Sequence, residues 1–428
     1  MLGSGGREHA LAWALARSPD VKEVVVAPGN PGCEQPAAVR SAPIRRAPLP
    51  SMTAADVVIA AQAQHPDLVV VGPEMPLCAG VVDALASIDV LAFGPTRSAA
   101  RLEGSKAFMK RLATDNGIPT APFLITSEMG PAEAYIRART CRVVIKTDGL
   151  AAGKGAVVSR DHDHAVATAR DMLLQNRFGA AGHTIIIEDL LPGVEMSVHA
   201  ITDGQKLLVL PIARDHKRIG DGDRGPNTGG MGAFAPVTIT PRLLDRVERE
   251  VLLPTLAGMR KLGCPYRGVL YAGIMVAPDG TPYLLEHNVR FGDPETQALV
   301  PLLQGDLAAL LHSAARGALD KHALQVNHNC AAVTVVMASA GYPQSARRGD
   351  IINGIERAEQ HPGVHIFHAG TTRSARGLAT NGGRVLAITA TANTVAEART
   401  TAYNSIAHIH FDGMQYRRDI AVTATACS

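Results

Sequence analysis

Two lysines and three glycines fall within ten residues in Lys146-Thr147-Asp148-Gly149-Leu150-Ala151-Ala152-Gly153-Lys154-Gly155. Between two apolar strands, such a loop can fold over a polyphosphate. Its backbone N–H groups approach where no side chain intervenes, and its ammonium groups offset the charge. No Ser or Thr follows Lys154 and no helix pattern follows the loop, so it is not a Walker A motif. Further on, Glu286-His287-Asn288 ends a strand. Side chains at i and i+2 share a face, so Glu286 and Asn288 present oxygens together while His287 points away. Paired hard oxygens suit Mg²⁺, which fills its remaining positions with phosphate oxygens and water. The run Arg290-Phe291-Gly292-Asp293-Pro294-Glu295-Thr296 follows directly.

Two more segments can bind anions. Asp215-His216-Lys217-Arg218 leads into Asp221-Gly222-Asp223-Arg224-Gly225-Pro226-Asn227-Thr228-Gly229-Gly230-Met231-Gly232. This stretch is too polar and glycine-rich for a core. Lys217, Asn227, Thr228 and Gly229 offer a cation and amides to a phosphorylated, hydroxylated substrate. Gly3-Ser4-Gly5-Gly6 precedes a helix, where glycines let a phosphate approach the helix N-terminus, with Arg7 beside it. Its spacing is not G-x-G-x-x-G, and only Met1 and Leu2 remain of the strand that should lead into it.

The elements that position these residues fall into three blocks. Over the first hundred residues helix and strand signals alternate. Helices are expected at Glu8–Leu15, Ala54–Gln64 and Cys78–Ser87, and strands at Glu23–Ala27, Asp67–Gly72 and Val90–Phe93. Continuous apolar strands between helices imply a parallel sheet covered on both faces. In the middle block turn chemistry predicts antiparallel hairpins. These pair Val143–Lys146 with Ala156–Ser159, Ser197–Ile201 with Lys206–Leu210, and Val269–Val276 with Pro282–Asn288. Helices are expected near Lys106–Asn116, Arg242–Leu262 and Pro294–Leu311. The last block returns to strands at Ala331–Met337, Val364–Phe367 and Arg384–Thr389, then a helix at Val395–Ile409. The fold class is therefore mixed α/β and α+β. The expected domains are residues 1–100, 101–324 and 325–428, with a mobile subdomain at about 120–190.

Composition narrows the function. A formal net charge of +3 over 428 residues gives no basic footprint for nucleic acid. No stretch approaches the roughly 18 apolar residues of a membrane span. The start of the chain has no apolar signal region, and a cytoplasmic location is expected. The six cysteines are scattered without a CxxC pair, which fits reduced thiols and no zinc site. The sixteen histidines show no metal-binding spacing, and no G-x-S-x-G elbow is present. Trp13 is expected to pack.

Long segments in order along nearly the whole chain resemble the glycinamide ribonucleotide synthetase family of the ATP-grasp superfamily. They are Gly3–Ala10 (GSGGREHA), Val71–Leu77 (VGPEMPL), Leu102–Phe108 (LEGSKAF), Asp148–Gly155 (DGLAAGKG), Gly225–Gly232 (GPNTGGMG), Arg290–Gln297 (RFGDPETQ), Phe367–Gly370 (FHAG), Thr380–Val385 (TNGGRV) and His410–Tyr416 (HFDGMQY). The resemblance implies an ATP-grasp fold between an N-terminal parallel-sheet (pre-ATP-grasp) domain and a small mixed C-terminal domain. It implies an enzyme that ligates glycine to 5-phosphoribosylamine, with ATP as co-substrate and Mg²⁺ (or Mn²⁺) as cofactor, acting as a monomer.

Roles come with it. Lys106 and Lys146 resemble the nucleotide-phosphate lysines, and Gly149–Gly155, including Gly153 and Lys154, the phosphate lid. Glu188 resembles the acid at the adenine edge, and Glu195 the acceptor from ribose hydroxyls. Glu286 and Asn288 resemble the metal ligands. Arg290 sits where the family orients the glycyl carboxylate or its phosphate, and it joins Lys146 and Asp215 as a candidate catalytic residue. Gly5, Gly6, Arg7, Lys217, Asn227, Thr228, Gly229, Arg290 and Asp293 are the candidate substrate contacts. The sequence departs from the family pattern at Thr147, Ala156 and Arg214. The alternatives are a related ligase for another acid or amine, an ATP sensor without ligation, and a dinucleotide oxidoreductase. Intact Glu286, Asn288 and Arg290 count against the sensor, and the lack of a proper fingerprint counts against the oxidoreductase.

Overall fold

A computed structural model describes residues 1–39, 41–151, 155–175 and 179–422. The N-terminal block is a parallel sheet. Ile44–Arg46 pairs with Val24–Pro28, which pairs with Leu2–Gly3. Leu2 bridges in parallel to Val71, next to the pair Val69–Val70 and Ala92–Phe93. The two-residue strand Leu2–Gly3 is thus central. Ala27 N donates to Met1 O at 2.9 Å on one side, and Gly72 N donates to Leu2 O at 3.1 Å on the other. The terminal ammonium of Met1 donates to Val25 O at 2.8 Å, continuing the ladder by one position. The charged strand Ile44–Arg46 gave no strand signal because only Ile44 is buried at this sheet edge. The helix expected at Cys78–Ser87 is two, Glu74–Ala79 and Val81–Ala86. They break at Gly80, whose φ of 91° is a left-handed cap that glycine adopts without strain.

Two antiparallel sheets form the middle. The first runs Phe123–Thr126, Ile185–Asp189, Val143–Thr147, Ala156–Val158 in spatial order. Helices Met129–Arg137 and His162–Leu174 cover one face, burying Ile136, Val143, Ile145, Ala165, Ala169 and Ile187 in a core of their own. The second sheet runs Leu207–Val209, Val194–Thr202, Gly268–Val276, Pro282–Asn288. The three expected hairpins are therefore present. The predicted helix Arg242–Leu262 contains a π-helical turn at Glu248–Leu252 between Pro241–Val247 and Leu253–Lys261. Pro254 has no N–H for the regular ladder, and the wide turn precedes it.

Residues 294–311 are not one helix. Glu295–Leu299 gives way to a 3₁₀ turn at Val300–Leu302, a short strand Leu303–Gly305 and a new helix Leu307–Ala315 capped by Asp306. Pro301 cannot continue the α ladder, and Gly305 takes a φ of 110°. The last sheet runs Arg214–Asp215, Gly232–Ala235, Ala331–Ala338, Arg384–Ala392, Val364–His368, with helix Val395–Ile406 packed on it. Its first two strands come from the polar stretch in the middle of the chain, so the middle and C-terminal blocks share a sheet. Among the described residues no helix is long and apolar enough to cross a membrane.

Candidate active site

The residues expected to meet the nucleotide lie where helix Lys106–Asp115 meets both middle sheets. Ser105 caps that helix, its hydroxyl accepting from Phe108 N at 3.1 Å and donating to Asp148 Oδ1 at 2.9 Å. Asp148 also accepts from Ala107 N at 2.7 Å. The start of the glycine loop is thereby tied to a helix N-terminus. Lys106 Nζ donates to Gly149 O at 3.3 Å, and burial pushes its ammonium down despite nearby Glu286. Lys146 Nζ lies 2.9 Å from Glu188 Oε1 and donates to Leu285 O at 3.0 Å. Gly155 must lack a Cβ, which would sit 2.4 Å from Thr147 Oγ1. The predicted loop residues Gly153 and Lys154 lie outside the described residues.

Glu286 and Asn288 lie on one face of the strand Pro282–Asn288. His287 is buried on the other, its ring between Thr255 Oγ1 at 3.0 Å and Tyr271 O at 3.1 Å. Burial would raise the Glu286 carboxyl. Lys217, Lys146, Lys106 and Arg290 outweigh it and hold the group down at about 2. Lys217 Nζ is 3.9 Å from Glu286 Oε1 and forms a short ion pair with Glu195. Burial would lower the Lys217 ammonium, but Glu195, Asp215 and Glu286 raise it well above its usual value. Asp215 is pushed up to about 8 by burial first, with Glu295, Glu195 and Glu286 adding to it against Lys217. An ionised Glu286 and the amide oxygen of Asn288 fit Mg²⁺ that also takes phosphate and water. Among the described residues no cluster of three or more His, Cys, Asp or Glu could hold a metal.

Arg290 is the hub. Its guanidinium pairs with Glu74 at 3.2 Å and Glu103 at 3.1 Å, and donates to Phe291 O at 3.2 Å and Asn288 Oδ1 at 3.3 Å. Burial would lower its pKa, but Glu103 and Glu74 raise it further. One planar fork thus joins Glu74 of the N-terminal block to Asn288.

The last cluster surrounds the first glycine loop. Gly5 caps helix Gly6–Leu15, and its N donates to Glu8 Oε2 at 2.6 Å. Arg7 is buried, its Nε on Glu8 Oε1 at 2.6 Å and its Nη1 on Phe291 O at 3.1 Å. A Cβ on Gly6 would lie 2.7 Å from Gln297 Nε2, which donates to Asp293 Oδ1 at 2.7 Å. Asp293 Oδ2 pairs with Arg384 at 2.9 Å, and Arg384 donates to Gly229 O at 2.6 Å. Thr228 folds back on Lys217 O at 2.9 Å through its hydroxyl, and Asn227 Nδ2 reaches Ala156 O at 3.4 Å.

Contacts of residues 286–297 join two clusters, Lys217 reaching Glu286, Arg290 reaching Asn288, Arg7 reaching Phe291, and Gln297 and Arg384 reaching Asp293. Glu188 is also held by Lys110, whose Nζ is 3.0 Å from Oε2. Sequence reasoning missed Lys110, Glu74, Glu103, Glu295 and Arg384 as site residues. Glu74, Glu103, Glu295 and Arg384 stand inside the family-like segments, and Lys110 lies one helical turn from Lys106.

Family models for the phosphoribosylglycinamide synthetase N domain, ATP-grasp (A) domain and C domain match residues 1–103, 104–296 and 332–423. The chain belongs to the phosphoribosylglycinamide synthetase family. Within that family it is 44% identical over 427 residues to the phosphoribosylamine–glycine ligase of Vibrio cholerae, covering 100% of this chain and 98% of that one. The ligase of Ralstonia nicotianae is 46% identical, with 98% and 97% covered. The crystal structure of the Thermotoga maritima phosphoribosylamine–glycine ligase superposes with a TM-score of 0.83 at 35% identity, over 98% of this chain and 99% of that one. A biotin carboxylase domain from Hydrogenobacter thermophilus reaches a TM-score of 0.71 at 15% identity over 97% of this chain and 91% of that one, which shows the shared ATP-grasp fold. The synthetase family's three segments account for the clusters above: Arg7, Glu74 and Glu103 come from the N segment and Arg384 from the C segment.

Proposed function

We propose that in this phosphoribosylamine–glycine ligase the two clusters divide the reaction between them. ATP, glycine and 5-phosphoribosylamine give glycinamide ribonucleotide, ADP and phosphate, a step of purine biosynthesis. Glycine's carboxylate is a poor electrophile because oxide is a poor leaving group. Transfer of the γ-phosphoryl group to it gives glycyl phosphate, whose leaving group is phosphate. The amine of phosphoribosylamine then attacks the acyl carbon and phosphate departs. Catalysis rests on positioning and charge neutralisation, with no covalent enzyme intermediate.

Lys106 and Lys146 hold the nucleotide phosphates between helix Lys106–Asp115 and strand Val143–Thr147. Glu188 faces the adenine edge and Glu195 the ribose hydroxyls. Glu286 and Asn288 would hold Mg²⁺ or Mn²⁺, which when bound would neutralise polyphosphate charge. Arg290 orients the glycyl carboxylate and stabilises the acyl phosphate. Asp215, with a carboxyl raised to about 8, stands beside Lys217 where an incoming ammonium would relieve the crowding of carboxylates. Gly5, Gly6, Arg7, Asn227, Thr228, Gly229 and Asp293 receive the phosphoribosyl part. One chain supplies all of these groups, so a monomer suffices.

The observation that carries this reading is the arrangement of Arg290 on Glu74, Glu103 and Asn288, next to a Glu286 carboxylate 3.9 Å from Lys217. The test is ADP release with purified protein and Mg²⁺. Release that requires glycine and the amine together supports ligation. Release unaffected by either would show ATP hydrolysis without ligation, and no release at all would leave only an ATP-binding protein.

A further inference from the structure

Glu188 sits at a four-way joint with a lysine on each side. Lys110 comes from helix Lys106–Asp115, and its side chain is wholly buried. Its Nζ lies 3.0 Å from Glu188 Oε2 and donates to Thr120 Oγ1 at 2.6 Å, and that hydroxyl donates to Leu284 O at 2.8 Å. Lys146, from strand Val143–Thr147, lies 2.9 Å from the other oxygen, Oε1, and donates to Leu285 O. That oxygen accepts no well-formed hydrogen bond among the described residues, although Lys146 is close. An ammonium has three N–H donors. Lys146 spends one on Leu285 O, and its 2.9 Å approach to Glu188 Oε1 is an ion pair without a directed hydrogen bond.

The joint contains two cations and one anion. Stability gives no reason for the second lysine, because buried ion pairs are often no more stable than apolar packing. Burial works against it directly, pushing the Lys110 ammonium down to about 8 despite Glu188. Its effect falls on Lys146 instead. With Lys110 on Oε2, the carboxylate's charge is shared between two ammonium groups. Without it, Glu188 would belong to Lys146 alone.

We propose that Lys110 is a positioning residue for nucleotide-phosphate binding: it shares the Glu188 carboxylate with Lys146 and so leaves the Lys146 ammonium available to a phosphate oxygen. This rests on the reading of Lys146 as a phosphate ligand and adds a residue that touches no ligand itself.

The test compares ATP with adenosine, whose affinity carries no phosphate contribution, by calorimetry on the full chain with Mg²⁺. Lys110→Met is expected to weaken ATP by roughly tenfold or more, as loss of one charged contact implies, while adenosine changes little. The KM for ATP should rise more than kcat falls. The double variant Lys110→Met with Glu188→Gln is the sharper arm. Removing the carboxylate frees Lys146 again, so the ratio of ATP to adenosine affinity should recover toward wild type. A merely structural role for Lys110 predicts instead that ATP and adenosine affinities fall together in Lys110→Met, since an unpaired buried carboxylate would disturb the whole joint rather than the phosphate contact alone. An unchanged ratio in Lys110→Met, or no recovery in the double variant, overturns the proposal. Lys146→Met separates the underlying reading: if it leaves ATP affinity intact, that reading fails first. Should Lys110→Met not fold, Thr120→Val removes the second anchor of Lys110, together with the Thr120 bond to Leu284 O, and leaves both lysines and Glu188 in place. It must then lower the same ratio by a few-fold, and an unchanged ratio overturns the proposal in that case.

Discussion

Glu286 carries opposing effects at a single carboxylate. Burial disfavours its charge, and four cations more than restore it, leaving the group ionised down to about pH 2. A pKa held below the unfolded value means stability present above about pH 4.5 and lost as pH falls toward 2. The side chain is 32% exposed, so solvent screening reduces the contribution to about 1–2 kcal/mol. We therefore expect Glu286→Gln to lower the melting temperature of the ligand-free protein at pH 7, with the difference from wild type shrinking as pH falls below about 4.5. In ligase assays across a magnesium titration the same variant should lose nearly all turnover, since the amide keeps the shape but not the charge. Wild-type activity at low magnesium would remove Glu286 from the metal site. The pair Glu286 and Asn288 was legible from a period of two along one strand. Lys110 was not legible, because a buried lysine on an amphipathic helix has the same spacing as an exposed one. Arg384 and Glu103 reach the site only through tertiary contacts, which no local pattern encodes.

At the scale of elements, the loop around Gly229 and Gly230 shows how close approach builds the substrate cluster. Gly230 has a φ of 110°, and a Cβ there would stand 2.4 Å from Pro294 Cδ, part of a ring that cannot rotate away. Gly230→Ala should push this loop from Asp293 and Arg384. The expected result is a KM for phosphoribosylamine raised by about tenfold or more, with the KM for ATP changed less. Equal changes in both would show that the loop does not belong to the amine site. Helix Ala54–Gln64 and the three hairpins were legible because Thr53 caps the first and turn residues separate the strands of the others. The strand Ile44–Arg46 and the break within 294–311 were not. One is held by sheet pairing despite its charges, and the other hides two short elements behind continuous apolar spacing.

The whole molecule is less divisible than its sequence blocks suggest. Strand Arg214–Asp215 pairs with Gly232–Ala235, which pairs with Ala331–Ala338 in the last sheet, and Asp293 is held by Arg384 across the same boundary. Ending the chain after residue 324 would leave Gly232–Ala235 without that neighbour and expose Ala233, Phe234 and Ala235, all buried now. We expect such a truncation to aggregate or to lose cooperative thermal unfolding, whereas a sharp transition and ATP binding would show that residues 1–324 fold alone. The three blocks together imply one chemical event, the passage of a carboxylate oxygen from glycine to phosphate through glycyl phosphate. Turnover with glycine carrying heavy oxygen in its carboxylate, followed by mass analysis of the released phosphate, reads that event directly. The account predicts one labelled oxygen in each phosphate formed. Phosphate without label, alongside normal formation of glycinamide ribonucleotide, would contradict it.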